Sequence, residues 1–120
     1  MNHGLNNNIY NKAYKFAVQI VFLYKKLIGM HKEYAKGRQI LRSGTSIGAN
    51  IAEANGAISK AVFNAKMYIS YKESLEVKFW LNLLLDTGYL QKEQFEKLFQ
   101  DADELSKILY TIVRRAEQKP

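Results

Sequence analysis

Arg42-Ser43-Gly44-Thr45-Ser46-Ile47-Gly48-Ala49-Asn50-Ile51-Ala52-Glu53-Ala54 is a run of poor helix formers set at helical spacing. Ile40, Ile47, Ile51 and Ala54 recur on one face of a helix predicted from about Arg38 to Asn55, and Gly56 supplies its stop. Glycine inside a helix costs about 1 kcal/mol relative to alanine, so packing or function must offset Gly44 and Gly48. Gly44, Gly48 and Ala52 recur every four residues, which places them along one side and lets another backbone approach closely. Tight helix contact is the plainer reading of that row, and a functional surface is the alternative. At about 100° per residue, Arg42, Ser46, Asn50 and Glu53 form a second, polar row away from the isoleucines. Such a row meets water or a partner.

A helix with these faces needs other helices around it, and the flanking sequence offers three. The first pattern runs from about Ile9 to Ile28, with Tyr10, Tyr14, Ala17, Val21, Tyr24 and Ile28 at three- and four-residue steps, Asn7 or Asn8 as cap and Gly29 as end. The third begins at Ser59 as N-cap and continues to Asp86, with Phe63, Met67, Ser70, Ser74, Val77, Leu81 and Leu84 on a heptad-like seam. The fourth runs from about Lys92 to Gln118 along Phe95, Ala102, Leu105, Leu109, Ile112 and Ala116, with Glu93 and Glu96 near its start and Arg114 and Arg115 near its end, as the helix dipole favours. Connections of a few residues force consecutive helices antiparallel, so the predicted fold is an all-α, up-down-up-down four-helix bundle. The longer connection, Met30–Gly37, is the expected mobile loop.

A chain of 120 residues with 48% hydrophobic content can bury one core without staples, and residues 1–120 read as one domain with a flexible tail over 1–8. Cysteine is absent, which removes disulfides, thiolate metal sites and cysteine nucleophiles and suits a cytoplasmic setting. No signal-peptide pattern opens the chain, and its longest apolar stretch, Phe16–Tyr24, falls far short of the ~20 residues that span a bilayer. The formal charge is +7, all of it from the first half: residues 1–60 hold nine Lys/Arg against Glu33 and Glu53, whereas residues 61–120 hold nine against nine. Asymmetry of this kind marks either contact with phosphate or a device for solubility.

Catalytic chemistry finds no foothold. Glu73 and Glu76 share a helix face and can serve as a general acid and base or as metal ligands. Neither His3 nor His31 follows a Glu by three residues, however, so the ligand set of a di-iron bundle is incomplete. Arg42 is placed to pair with one of those acids, which makes a structural ion-pair network the better reading. Gly37 to Gly44 lacks the following Lys-Ser/Thr of a phosphate-cradling loop, and serines without a histidine partner make no triad. Trp80 and the eight tyrosines can stack on bases, although aromatics at helical spacing more often belong to a core. No catalytic residue, metal ligand or cofactor is assigned.

The run Gln39 to Ala54, then Ser59-Lys60-Ala61-Val62-Phe63, then Lys72-Glu73 with Glu76 and Trp80-Leu81, resembles the bacterial four-helix-bundle proteins of the 23S rRNA intervening-sequence family. The resemblance covers nearly the whole chain. It implies a protomer that assembles into a homopentameric ring, like that of the related accessory proteins of diversity-generating retroelements, whose basic surfaces engage RNA and a reverse transcriptase. Arg42, Ser46, Asn50, Glu53, Glu73 and Glu76 match the family motif, with a role in assembly or packing. Two departures concern loop geometry: the family's glycine after the Asn-Ile-Ala-Glu motif is Ala54, and its proline before the second helix is missing.

The expectation is therefore a non-enzymatic oligomeric adaptor that binds structured RNA or a ribonucleoprotein. Lys12, Lys15, Lys25, Lys26, Lys32, Lys36 and Arg38 are the candidate contacts, because phosphate binding needs many cations on one surface. Arg42, Gly44, Ser46, Gly48, Asn50, Glu53, Glu73, Glu76 and Trp80 are the candidate motif and assembly residues. The alternative is a protein-binding or self-assembling scaffold without nucleic acid.

Overall fold

Each helix begins or ends where a side chain or a turn takes up unpaired backbone groups. A computed structural model describes residues 6–117 and shows α1 over Asn6–Met30, α2 over Tyr34–Asn55, α3 over Lys60–Asp86 and α4 over Lys92–Glu117. Ser59 caps α3 as its spacing predicts, its hydroxyl accepting the Val62 N–H at 3.1 Å. Gly88, at φ 87°, turns the chain out of α3 in the left-handed region that glycine tolerates. The cap of α2 is Glu33, whose carboxylate accepts the Lys36 N–H at 3.3 Å and pairs with Lys36 Nζ at 2.7 Å. Those bonds from Lys36 hold the Glu33 carboxyl below its ordinary range.

This cap corrects the expected loop. Tyr34 to Gly37 belong to α2, so the connection shrinks from Met30–Gly37 to His31, Lys32 and Glu33, with Lys32 at φ 54°. Helix α1 likewise starts at Asn6, three residues before the expected boundary, which moves 6–8 out of the anticipated tail; residues 1–5 lie outside the described residues.

The helices pack in chain order around a square, α1 on α2, α2 on α3, α3 on α4, with a lighter contact closing α4 onto α1. Helices α1 and α3 are diagonal, as are α2 and α4, in a bundle measuring 48 × 21 × 21 Å. On α3 the expected seam is the observed one from Met67 onward: Met67, Ser70, Ser74, Val77, Leu81 and Leu84 are buried, and Phe63 at its start is half-buried. On α1 it is not. The buried residues are Ile9, Ala13, Phe16, Ile20, Leu23 and Leu27, whereas Tyr14 is 59% exposed. The run Phe16–Tyr24 is apolar in nearly every direction, so spacing there sets a helical period without setting its phase.

Close approach of α2 to α1 accounts for the glycines. A Cβ added at Gly44 would lie 2.8 Å from both γ-carbons of Ile20, and one at Gly48 would lie 3.6 Å from the Ala13 backbone. Gly37 joins this seam against Tyr24, at 3.5 Å, whereas Ala52 is exposed and leaves it. Serines thin the other seams: Ser70 Oγ donates to the Ile47 carbonyl at 2.9 Å, and Ser106 Oγ donates to Ser74 Oγ at 2.8 Å, which donates to the Tyr71 carbonyl at 2.6 Å. Each buried hydroxyl thus keeps a partner, as a dry interior requires.

Across α3 and α4, Asp103 takes Lys78 at 3.0 Å and Lys107 at 3.1 Å. These two cations, Lys78 foremost, hold its carboxyl below the ordinary aspartate range. A depressed carboxyl contributes stability above its unfolded pKa and loses it as pH falls through the folded value. Asp103→Asn is therefore expected to be less stable than wild type at neutral pH, the gap closing in acid, as urea unfolding at both pH values will show.

Gly44→Ala forces a methyl onto a β-branched side chain with little freedom to move, and an overpacked core typically costs about 1–3 kcal/mol. Gly48→Ala meets only ordinary contact and gains helix propensity, so it is expected to be neutral or stabilised by up to about 1 kcal/mol. Thermal or urea unfolding of the pair checks the contrast.

Candidate functional site

The polar row of α2 lies along the edge it shares with α3. Glu73, Glu76 and Trp80 fall at three- and four-residue steps, so α3 presents them together, and Arg42 reaches them from α2. Arg42 Nη1 donates to Glu73 Oε2 at 3.0 Å, while Nη2 donates to Glu76 Oε2. The same Glu76 oxygen accepts Trp80 Nε1 at 3.0 Å. One guanidinium thus holds both carboxylates, where the sequence pointed to one; its planar fork suits that task as an ammonium would not.

The rest of the row is also engaged within the chain. Ser46 Oγ donates to the Arg42 carbonyl at 2.5 Å, Asn50 Nδ2 donates to the Ser46 carbonyl at 2.8 Å, and Glu53 pairs with Lys66 of α3 at 2.7 Å. Three ion pairs therefore tie α2 to α3 on the side away from Gly44 and Gly48. With Glu73 and Glu76 bonded to one guanidinium, neither is set up as a free base. Among the described residues no group of three His, Asp or Glu is placed to hold a metal ion.

The seven candidate cations do not form one surface. Lys12 and Lys15 line the α1–α4 groove, where Lys12 pairs with Glu104 at 3.5 Å and Gln19 donates to Asp101 at 3.2 Å. Lys25, Lys26, Lys32, Lys36 and Arg38 gather where α1 ends and α2 starts. Lys36 is taken by Glu33 and lies over the Tyr89 ring at 5.3 Å, Lys26 donates to Gln94 at 3.5 Å, and Lys25 lies 5.9 Å from the Phe22 ring centre. Lys15, Lys25, Lys26, Lys32 and Arg38 have no carboxylate partner among the described residues. In the second half, Lys66, Lys78, Lys97, Lys107 and Arg114 each have one.

Exposed apolar rows are the feature that sequence reasoning missed. Tyr14, Val18 and Phe22 stand on the outer side of α1, and Tyr68, Leu75 and Phe79 on the outer side of α3, where Phe79 meets Trp80 edge-on at 5.1 Å. The four-residue spacing of the first row was legible, but its exposure followed only from the phase of α1.

These features define a four-helix bundle with an ion-pair network along its α2–α3 edge. The chain belongs to the 23S rRNA-intervening sequence protein family, whose model matches residues 5–111. A crystal structure of a protein of unknown function from the S23 ribosomal protein family of Bacteroides thetaiotaomicron VPI-5482 is similar to it, with 47% identity and a TM-score of 0.88 over 91% of this chain and 97% of that one. None of the curated proteins matches the sequence. No described helix is long and apolar enough to cross a membrane.

Arg42→Ala leaves two neighbouring carboxylates without their shared cation. The arginine is half exposed, so the loss is expected at up to about 1 kcal/mol. Arg42→Ala/Glu73→Gln/Glu76→Gln should recover most of it, since the repulsion is gone; urea midpoints of the two variants against wild type check this.

Proposed function

We propose that this protein is a non-enzymatic, self-assembling cytoplasmic adaptor that contacts structured RNA, alone or in a ribonucleoprotein, through the basic end of its bundle. The observation that carries this reading is the uneven neutralisation of charge. Among the described residues, Lys25, Lys26, Lys32 and Arg38 share one end of the molecule without carboxylate partners, while in the second half five cations are paired and Lys72, Lys92 and Arg115, which are not, are spread along α3 and α4. Unpaired cations on one surface suit the phosphate backbone, whose bound counterions they release. The name of the family, which ties it to 23S rRNA, supports the same class of partner. Assembly into a ring of five subunits, as the family resemblance implies, would repeat that end around an axis. A protein-binding scaffold without RNA is the second reading, favoured by the exposed aromatic rows of α1 and α3.

Fluorescence anisotropy with a labelled RNA hairpin separates the two. Binding is expected at low salt, with log K falling linearly against log salt by about 0.7–0.9 per phosphate engaged. Lys26→Glu/Lys32→Glu/Arg38→Glu, three exposed sites outside the helix seams, should abolish binding or flatten that slope while leaving the melting temperature near wild type. No affinity at low salt, or affinity indifferent to salt, overturns the RNA reading and leaves the scaffold.

A further inference from the structure

We infer that the ring of Tyr34 takes an unpaired RNA base by stacking, while Lys32 and Arg38 hold the phosphates on either side of it. The inference rests on the RNA reading above and specifies what that surface recognises. Among the described residues six phenylalanine and tyrosine rings are exposed, and five of them are already engaged within the chain. Tyr14 meets Tyr10, Phe22 lies under Lys25, Tyr68 under Lys72, Phe79 against Trp80 and Tyr110 against Tyr71. Tyr34 is the sixth, 47% exposed, with neither a ring nor a cation against it. It is also the one that stands at the basic end of the bundle. Tyr34 opens α2 and Arg38 follows four residues later, so the two share an outer face one turn apart. Lys32 precedes them in the connection, and both cations are exposed and without carboxylate partners among the described residues.

Charge selects a nucleic acid as the occupant. Helix α1 contains no acidic residue, and the two acids of α2 are taken, Glu33 by Lys36 and Glu53 by Lys66. Three other acids reach this end of the molecule from α3 and α4. Glu93 and Glu96 belong to α4, diagonal to α2, and Asp86 closes α3. At about 100° per residue Tyr34 lies about 60° outward from Gly37, which faces α1, so its ring leans away from α3. This surface complements an anion, which the outer face of α3 does not, since Lys72 and Arg42 there balance Glu73 and Glu76. A protein interface seats its rings in a core depleted of charge, whereas Tyr34 is set between cations. A nucleotide fits both features, its base covering the ring and its phosphates lying beside the cations. Bases paired in an A-form stem are out of reach in the deep, narrow major groove, so this base comes from a loop, a bulge or an end of a structured RNA.

Two labelled probes of equal nucleotide number separate stacking from phosphate contact: an RNA hairpin with an unpaired loop, and a blunt RNA duplex. By fluorescence anisotropy at low salt the wild-type chain is expected to bind the hairpin more tightly. Tyr34→Ala and Tyr34→Leu should each lose about tenfold of that affinity, and the preference with it, whereas Tyr34→Phe keeps the ring and should bind as wild type. The fall of log K against log salt should be the same in all three variants, since stacking releases no counterions. Circular dichroism should match wild type because the site is exposed. An aminopurine in the hairpin loop, whose fluorescence stacking quenches, should dim on binding wild type or Tyr34→Phe and stay bright with Tyr34→Ala. Equal affinity for hairpin and duplex, or a Tyr34→Ala chain that binds the hairpin as wild type does, overturns the stacking and leaves the ring to a protein partner while the RNA reading stands. No binding of either RNA at low salt overturns both.

Discussion

The seating of Ile20 against Gly44 is the contact on which the rest of the bundle depends. With no side chain at Gly44, α2 comes close enough to α1 for the β-branched Ile20 to fill the space a Cβ would claim. That approach fixes the rotation of α2, because Gly37, Gly44 and Gly48 must all face α1. Once this side is fixed, the geometry of the helix decides the others. Ile40, Ile47 and Ile51 turn to the core, and Arg42, Asn50 and Glu53 turn to the α3 edge, where Glu73, Glu76 and Lys66 await them. The two sides of α2 are thus coupled, because one rotation about the helix axis sets both the glycines against α1 and Arg42 beside its carboxylates. The helix-propensity cost of the glycines is offset by this registration and by the close packing it permits.

Where the sequence was legible, the reason is contrast. Helices α2 and α3 carry small or polar residues between their apolar ones, so the buried seams of Ile40, Ile47, Ile51 and Ala54, and of Met67 through Leu84, follow from spacing alone. The Arg42 network was legible for the same reason, since Glu73 and Glu76 had to share a face that α2 could reach. Helix α1 offers no contrast over Phe16–Tyr24, and the phase taken from tyrosine spacing was one position off the true seam. Exposed aromatics look like core residues in such a helix, which is why the outer row at Tyr14, Val18 and Phe22 went unseen. The start of α2 was missed because its cap is a glutamate that also bonds its own lysine, a local arrangement outside the usual Ser, Thr, Asp or Asn signal.

Electrostatics divides the molecule by its packing. Helix α4 brings four of its six acids to bear on cations within reach: Asp101 on Lys97, Asp103 on Lys78 and Lys107, Glu104 on Lys12 and Glu117 on Arg114. Glu73 and Glu76 are spent on Arg42. What remains unpaired is set by geometry as much as by count: the α3–α4 turn brings Asp86, Glu93 and Glu96 to the end where α1 meets α2, yet none of them forms an ion pair with Lys25, Lys26, Lys32 or Arg38. Lys72, Lys92 and Arg115 also lack a carboxylate partner among the described residues, so the net charge of +7 is spread over the bundle, with five of its cations gathered where α1 meets α2.

The proposed RNA surface and the exposed apolar row of α1 draw on different residues. Lys26 flanks α4, Lys32 lies in the connection and Arg38 stands on the outer side of α2, all clear of the row formed by Tyr14, Val18 and Phe22. Only Lys25, over the Phe22 ring, touches both. Assembly into a ring, as the family resemblance implies, would repeat the basic ends at fixed separations. Four cations on one bundle make a weak phosphate site, but a repeated site gains from effective concentration once the first contact forms. Such gain requires an RNA long and stiff enough to span two subunits. A folded stem meets that condition better than a flexible single strand, so the geometry of the assembly, more than any one side chain, would select structured RNA.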